Sequence, residues 1–382
     1  MSDTQHRETI ERGQDDAEFD AAEQHAPDGP SDLPKRGWKG VLKRTVSEFG
    51  KDGGPDLAAA LTYFSIMSLA PMLLALSTLL SFFGQDAGEG ENGAINEVID
   101  QLGGDLGVGQ DTLETIKSYI ASMGESNGAA GILLVVGLLG ALWSASNYVN
   151  AFSRMMNKVY EIEEGRPVWK LRPWLLVITL LMLLGLITII LSVTLSGAVS
   201  EAVFGAIGLS GTVDTVWNIA KWPVILLILI AMVAVLYWGT PNVRQPSFKW
   251  LSPGAALAVI VSILAAAGFF LYLTGFGGED SYNATYGAIG GVIILLLMIF
   301  IINNVLVIGA ELDAELERGR ELAAGMPAEE DILLPPRDVQ GTKKKKAKQD
   351  GVVREAREQR MKAAGRLRKQ GEDVGLEGRG KD

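Results

Sequence analysis

Asn147, Asn150, Arg154 and Asn157 are spaced three, four and three residues apart, so a helix carries all four on one face. They close an otherwise uncharged, apolar stretch, where burying polar side chains without partners is costly. Such a face either hydrogen-bonds to neighbouring helices or lines a wet cavity. In a cavity, Arg154 is the group able to hold an anionic headgroup or solute through charge-assisted hydrogen bonds. A second polar stripe holds Asn303, Asn304 and Glu311, with Asn304 and Glu311 seven apart and so on one face. Glu311 stands where another uncharged run ends, either at headgroup level or paired with a base, and an ion pair with Arg154 is the expectation. Pro71 follows Ser65 and Ser68, whose hydroxyls can satisfy backbone groups that a proline frees. Tyr63, Ser68 and Pro71 join the two stripes as the candidate lining of a groove.

Catalytic chemistry is poorly served by comparison. The histidines are His6 and His25, both in the polar N-terminal stretch, and there is no cysteine. Zinc hydrolysis, which needs clustered ligands to lower the pKa of a bound water, therefore has no ligand set. A magnesium nuclease needs converging carboxylates, and the apolar region offers Glu311 and Asp313 with nothing opposite. No Walker-type phosphate loop is present. These residue types suit binding and transfer, so no enzyme activity, metal or cofactor is expected.

The elements that must position these groups are six stretches without Asp, Glu, Lys or Arg: 57–85, 126–153, 173–200, 222–243, 250–278 and 281–310. Each exceeds the roughly 20 residues that cross a bilayer. They predict an all-α integral membrane protein, a bundle of six transmembrane helices over about 57–84, 129–152, 174–200, 223–241, 250–276 and 284–310. The flanks alternate in charge. Lys35, Arg36, Lys39, Lys43, Arg44 and Lys51 precede the first span, Arg154, Lys158, Arg166, Lys170 and Arg172 follow the second, and Arg244 and Lys249 follow the fourth. The intervening loops carry Lys117 and Lys221 against many carboxylates, so both termini are predicted to be cytoplasmic. The third and fourth spans are nearly featureless and are expected to face lipid. Function is expected where the first, second and sixth meet.

Residues 1–37 read as a disordered acidic tail, and the membrane domain as 38–318. Trp38, Val41, Leu42, Val46 and Phe49 suit a short amphipathic helix on the inner leaflet or an extension of the first span. In the long first outer loop, Ile95, Val98, Ile99 and Leu102, then Leu113, Ile116, Ile120 and Met123, predict two short amphipathic helices. Residues 319–382 form a second charged tail. Its basic tract, from Lys343 to Lys369, can touch anionic lipid headgroups, and no aromatic platform accompanies it for nucleic acid. Membrane lipids are the expected partners, and a homo-oligomer is compatible with the pattern.

Four ordered motifs carry a family resemblance. They are Ala59 to Pro71 (AALTYFSIMSLAP), Asn157-Lys158-Val159-Tyr160, Pro253-Gly254-Ala255, and Tyr286 to Gly290 (YGAIG) leading to Gly309-Ala310-Glu311-Leu312. Together they make residues 38–318 similar to the YihY/BrkB family of bacterial inner-membrane proteins. Met298 and Phe300 depart from it, standing where Trp and Tyr are expected. The resemblance implies a six-span fold in the cytoplasmic membrane of a bacterium. Its members have carried the labels ribonuclease BN and virulence factor, and links to envelope lipid transport. With the residues above, the expected function is movement of a lipid or small anionic envelope-related solute through a polar groove between helices. The alternative is a membrane scaffold that organises envelope partners through the outer loop and the basic tract.

Overall fold

The computed structural model of the chain describes residues 9–13, 19–21, 24–27, 33, 35–83, 114, 130–194, 212–245, 252–275 and 288–370. Its long elements are helices: α1 Lys35–Lys51, α2 Gly54–Phe83, α3 Ala130–Val159, α4 Val168–Thr194, α5 Thr212–Gly239, α6 Pro253–Gly275, α7 Ala288–Ala323 and α8 Gln340–Lys369. Among the described residues the β-pairing is one isolated bridge between Val243 and Pro336. The predicted amphipathic helices of the first outer loop lie outside the described residues.

Four helical segments are long and apolar enough to cross a membrane: Val168–Val193, Ile219–Gly239, Pro253–Tyr272 and Val292–Ala323. They fall on the third to sixth predicted spans. Only 22 to 28 per cent of each apolar window is buried within the protein, so most of its side chains look outward. Leu180, Leu181 and Leu184 on α4 and Ile260, Ile263 and Leu264 on α6 are exposed in this way, a surface that suits lipid rather than water. Helices α2 and α3, each 30 residues long, cover the first and second predicted spans to within one residue.

Local chemistry explains the boundaries. Gly53 adopts a left-handed φ of 67°, which ends α1, and the N–H groups of Asp56 and Leu57 both donate to its carbonyl as α2 begins. Ser252 caps α6 by accepting from the Ala255 N–H at 2.9 Å, with Pro253 at the first helical position, where its missing N–H costs nothing. Several bounds differ from the sequence reading, α5 and α7 the most. Helix α5 starts at Thr212 and runs through Pro223, since a proline removes one backbone bond and flanking residues keep theirs. Helix α7 continues thirteen residues past 310, to Ala323, where Gly325 turns left-handed and the Met326 N–H reaches back to the Glu321 carbonyl.

Helix α7 is the hub, packing against α1, α2, α3 and α6, while α4 pairs with α5 and α3. The apolar core includes Phe152, Met155 and Met156 of α3, Tyr237 of α5, and Val307 and Ala310 of α7. Two of the family motifs meet here. The Gly254 N–H donates to the Asp313 carboxylate at 2.7 Å, and a side chain on Gly309 would lie 2.7 Å from the Gly254 carbonyl. Within the N-terminal tail that the sequence reads as disordered, Thr9 and Phe19 are buried, Phe19 because it is a large apolar side chain with the core within reach.

Candidate substrate groove

The polar residues singled out in the sequence separate into four environments. The first is a closed interior. Asn303, 2 per cent exposed, donates from Nδ2 to Thr62 Oγ1 at 3.2 Å and Ser65 Oγ at 3.5 Å, and accepts from the Tyr148 hydroxyl at 3.1 Å. One amide thus joins α2, α3 and α7. Its neighbour Asn304 bonds within its own helix, from Nδ2 to the Phe300 carbonyl at 2.8 Å. Ser68 is buried, and its hydroxyl oxygen has no hydrogen-bond partner among the described residues. Pro71 lies farther along α2, which spans it without a break in helical assignment.

The second is a clasp at the end of the bundle where α1 turns into α2. Asn157 points into it, not into a groove: Nδ2 donates to Glu164 at 3.0 Å and Oδ1 accepts from the Asn242 N–H at 2.7 Å. Asn242 in turn donates to the carbonyls of Glu163 and Asp338, both at 2.9 Å. Arg166 pairs with both oxygens of Glu164, at 2.7 and 2.6 Å, and donates to the Thr240 carbonyl at 2.7 Å. Arg337 reaches the carbonyls of Val243 and Trp238, both at 2.7 Å, over the Trp238 ring. Burial, with Arg166 nearby, pulls the Arg337 guanidinium down to about 10, so it stays cationic at neutral pH. Farther round, Arg318 bonds Glu315 at 2.9 Å and Glu161 at 3.3 Å, and Arg44 bonds Glu315 at 2.5 Å. Burial raises the Glu161 carboxyl despite the opposing Arg318 charge. Lys158 donates to the Asp52 carbonyl, tying α3 to the α1–α2 corner.

The third environment holds Glu311, 1 per cent exposed, with Oε1 unpartnered. Its charged surroundings are acidic: Asp52, Glu315, Glu48 and Glu161. The expected ion pair with Arg154 is not formed. Glu311 is enclosed beside the α1–α2 corner, whereas Arg154 turns outward from α3 and lies over the Phe64 ring, 5.2 Å from its centre.

The fourth is the outward face of α3, the candidate lining of a groove. Trp143, Asn147, Asn150 and Arg154 recur at four, three and four residues, and none is fully buried. Arg154 Nη1 makes only a long 3.4 Å contact to the Asn150 carbonyl. Across from this face, Arg172 of α4 lays its guanidinium over Trp143, 5.1 Å from the ring centre, with Nη1 buried and unpartnered. On α2, Tyr63 and Met67 are exposed a turn apart, and Tyr63 meets Phe64 edge-on at 5.3 Å. This face thus meets α2 at Phe64 and α4 at Arg172, and not the sixth predicted span. Trp143 could have been found by extending the Asn147–Asn150–Arg154 register one turn back. Arg172 could not, because its approach depends on how α4 packs against α3.

Among the described residues no group of three or more His, Cys, Asp or Glu side chains is placed to hold a metal ion. The arrangement offers hydrogen-bond donors, two cations and aromatic rings beside an apolar surface.

The chain is 28 per cent identical over 281 residues to a protein of Bacillus subtilis named putative ribonuclease-like protein YfkH, an alignment covering 74 per cent of this chain and 96 per cent of that one. It is 26 per cent identical over 262 residues to a UPF0761 membrane protein of Vibrio campbellii, covering 68 and 76 per cent. A UPF0761 membrane protein of Alcanivorax borkumensis is 26 per cent identical over 274 residues, with 70 and 58 per cent covered. No solved structure matches. With such relatives and four membrane-length apolar helices, this is a multi-pass protein of the bacterial inner membrane. The family described as Virulence factor BrkB matches residues 45–331, well over half of the chain, so the resemblance read from the motifs holds and the chain belongs to that family.

Proposed function

We propose that this protein moves a lipid or small anionic envelope-related solute across the inner membrane, along the groove between α2, α3 and α4. The observation that carries this reading is the exposed polar face of Trp143, Asn147, Asn150 and Arg154, opposite a second arginine with a free buried nitrogen. Polar side chains in a membrane helix are costly unless they bond to neighbours or meet water or cargo. The polar groups of the interior and the clasp mostly take the first course, and Asn147, Asn150 and Arg154 do not. In this reading α2 and α3 complete a six-span bundle with both termini cytoplasmic. The basic helix α8, exposed along most of its length, rests on anionic headgroups of the inner leaflet. A groove needs no catalytic constellation, and the ribonuclease wording of the Bacillus relative is not carried over.

The second reading, a scaffold for envelope partners, draws on that same exposed α8, which presents Val352, Val353 and Met361 to solvent. The two separate in liposomes. Purified protein is reconstituted and assayed for movement of labelled lipids and small anions, with Asn150→Ala and Arg154→Ala as variants. Transport predicts flux in the wild type and at least about a tenfold loss in Arg154→Ala, the weight of a charge-assisted contact. A well-folded sample with no flux, or a cellular phenotype that survives both substitutions but is lost on deleting residues 88–124, leaves the scaffold.

A further inference from the structure

We infer that Glu311 is a proton-binding site, roofed by α1 at the end of the bundle where α1 turns into α2. The site rests on burial and bonding alone. That its proton drives cargo rests on the transport reading above.

Helix α7 carries three glutamates that are each 1 per cent exposed, Glu311, Glu315 and Glu321. Two of them are bonded. Glu315 takes Arg44 at 2.5 Å and Arg318 at 2.9 Å, and Glu321 accepts the Leu333 N–H at 3.1 and 3.0 Å. Glu311 keeps Oε1 buried without a partner, and among the described residues no ion pair reaches it. An ionised carboxylate buried without a cation or donor costs far more than the neutral acid, so a group placed in this way takes up a proton.

The register of α1 on α7 decides what faces Glu311. A side chain on Gly319 would lie 3.2 Å from Val41 and 3.8 Å from Leu33, while Arg44 bonds Glu315. The two helices therefore run antiparallel, and the next turn of α1 brings Glu48 towards Glu311. The cations of the helices packed on α7 are engaged elsewhere or turned away. On α1, Arg44 is on Glu315, Lys51 bonds Glu48 at 3.0 Å, and Lys39 and Lys43 are exposed. On α3, Arg154 lies over Phe64 and Lys158 donates to the Asp52 carbonyl. Helix α2 contributes Asp56 in its first turn, and α6 has no charged residue. On α7 itself, Asp313 turns to the Gly254 N–H, and Arg318 is shared by Glu315 and Glu161. Glu48, Asp52 and Glu161 are acidic and offer Glu311 no counter-charge.

Helix α1 is the cover. Val41 and Thr45 are buried beneath it, Leu42 and Val46 are exposed on its outer side, and Gly53, with its φ of 67°, ends it at a turn. Lifting α1 from α7 admits water, which accepts the proton and hydrates the carboxylate left behind.

The test uses the full chain in nanodiscs and difference infrared spectroscopy between the parent and Glu311→Gln, in the band of neutral carboxylic acids. The site predicts, at neutral pH, an acid band in the parent that Glu311→Gln lacks and Glu311→Asp retains. Glutamine has the shape of the protonated form, so that variant should fold. A parent without the band overturns the site, as does a Glu311→Gln variant that fails to fold where Glu311→Asp succeeds, since the fold then needs the charge. The roof is read from deuterium exchange of the same acid. The chain has no cysteine, so Val41→Cys with Gly319→Cys sets a single disulfide between α1 and α7. Oxidising that pair should slow the exchange at least about tenfold, because opening must precede it. Equal rates in the oxidised and reduced pair overturn α1 as the cover. In liposomes under a pH gradient, parent flux should follow the gradient and Glu311→Gln flux should not. An acid band without flux keeps the site and sinks the transport reading; flux without the band does the reverse.

Discussion

The clasp and the proposed groove use the same residue types and treat them in opposite ways. In the clasp, Arg166 and Arg318 have side chains 8 and 3 per cent exposed, and each meets carboxylates and carbonyls from more than one segment. On the outward face, Arg154 and Arg172 meet aromatic rings. Asparagine divides likewise: Asn157 and Asn242 are fully engaged in the clasp, while Asn147 and Asn150 stay partly open two to three turns away. A buried charge that is fully bonded holds elements in register. A polar face left open is not needed by the fold, and function is where to look for its role.

Four substitutions test this contrast by thermal unfolding of purified protein in detergent. The largest effect is expected in the clasp at Arg318→Ala, which leaves Glu161 without its arginine and Glu315 with Arg44 alone, and should cost about 3 kcal/mol. A loss below about 1 kcal/mol would mean that the network is not holding the bundle end together. Next comes the closed interior, where Asn303→Ala removes the link among α2, α3 and α7. Membrane hydrogen bonds are individually modest, so a loss of about 1 kcal/mol is expected. Smaller still, Arg154→Ala and Asn150→Ala should stay within about 0.5 kcal/mol of the parent, since nothing in the fold depends on them. A large destabilisation by either would erase the distinction between the two regions.

The smallest effect concerns pH. Burial acts to raise the Asp338 carboxyl, but the hydrogen bond from Lys170 and the Gln340 N–H outweigh it and hold the group below its ordinary value. A depressed carboxyl stabilises the folded state above its unfolded value, and that contribution is lost as pH falls through the lower folded value. The Lys170 side chain is 41 per cent exposed, so Asp338→Asn should cost only a few tenths of a kcal/mol at neutral pH. The difference between variant and parent should vanish in acid. A difference that persists there would assign the loss to the α8 cap rather than to the ion pair.

Much of this architecture is legible along the chain because lipid imposes a simple rule: a spanning segment must be long, apolar and internally hydrogen-bonded. The absence of charge from 173 to 200 and from 281 to 310 suffices for α4 and α7, and Gly53, Ser252 and Pro253 mark helix ends by chemistry that acts within a few residues. The groove is half legible. Helical period places Asn147, Asn150, Arg154 and Asn157 on one face, yet Asn157 lies where α3 leaves the bundle, and there Asn242 and Glu164 capture it. Glu311 illustrates the same limit, since its distance from Arg154 depends on which side of α7 meets the α1–α2 corner.

The sequence alone therefore determines the membrane class, the four long apolar helices, the family and the presence of polar faces within them. Tertiary structure decides which polar groups are consumed by the fold and which are left over, and so brings Arg172 and Trp143 to the groove and closes Asn303 away from it. The reason is physical. Periodicity assigns a side chain to a face using neighbours three and four residues away, whereas its partner arrives from another helix through packing.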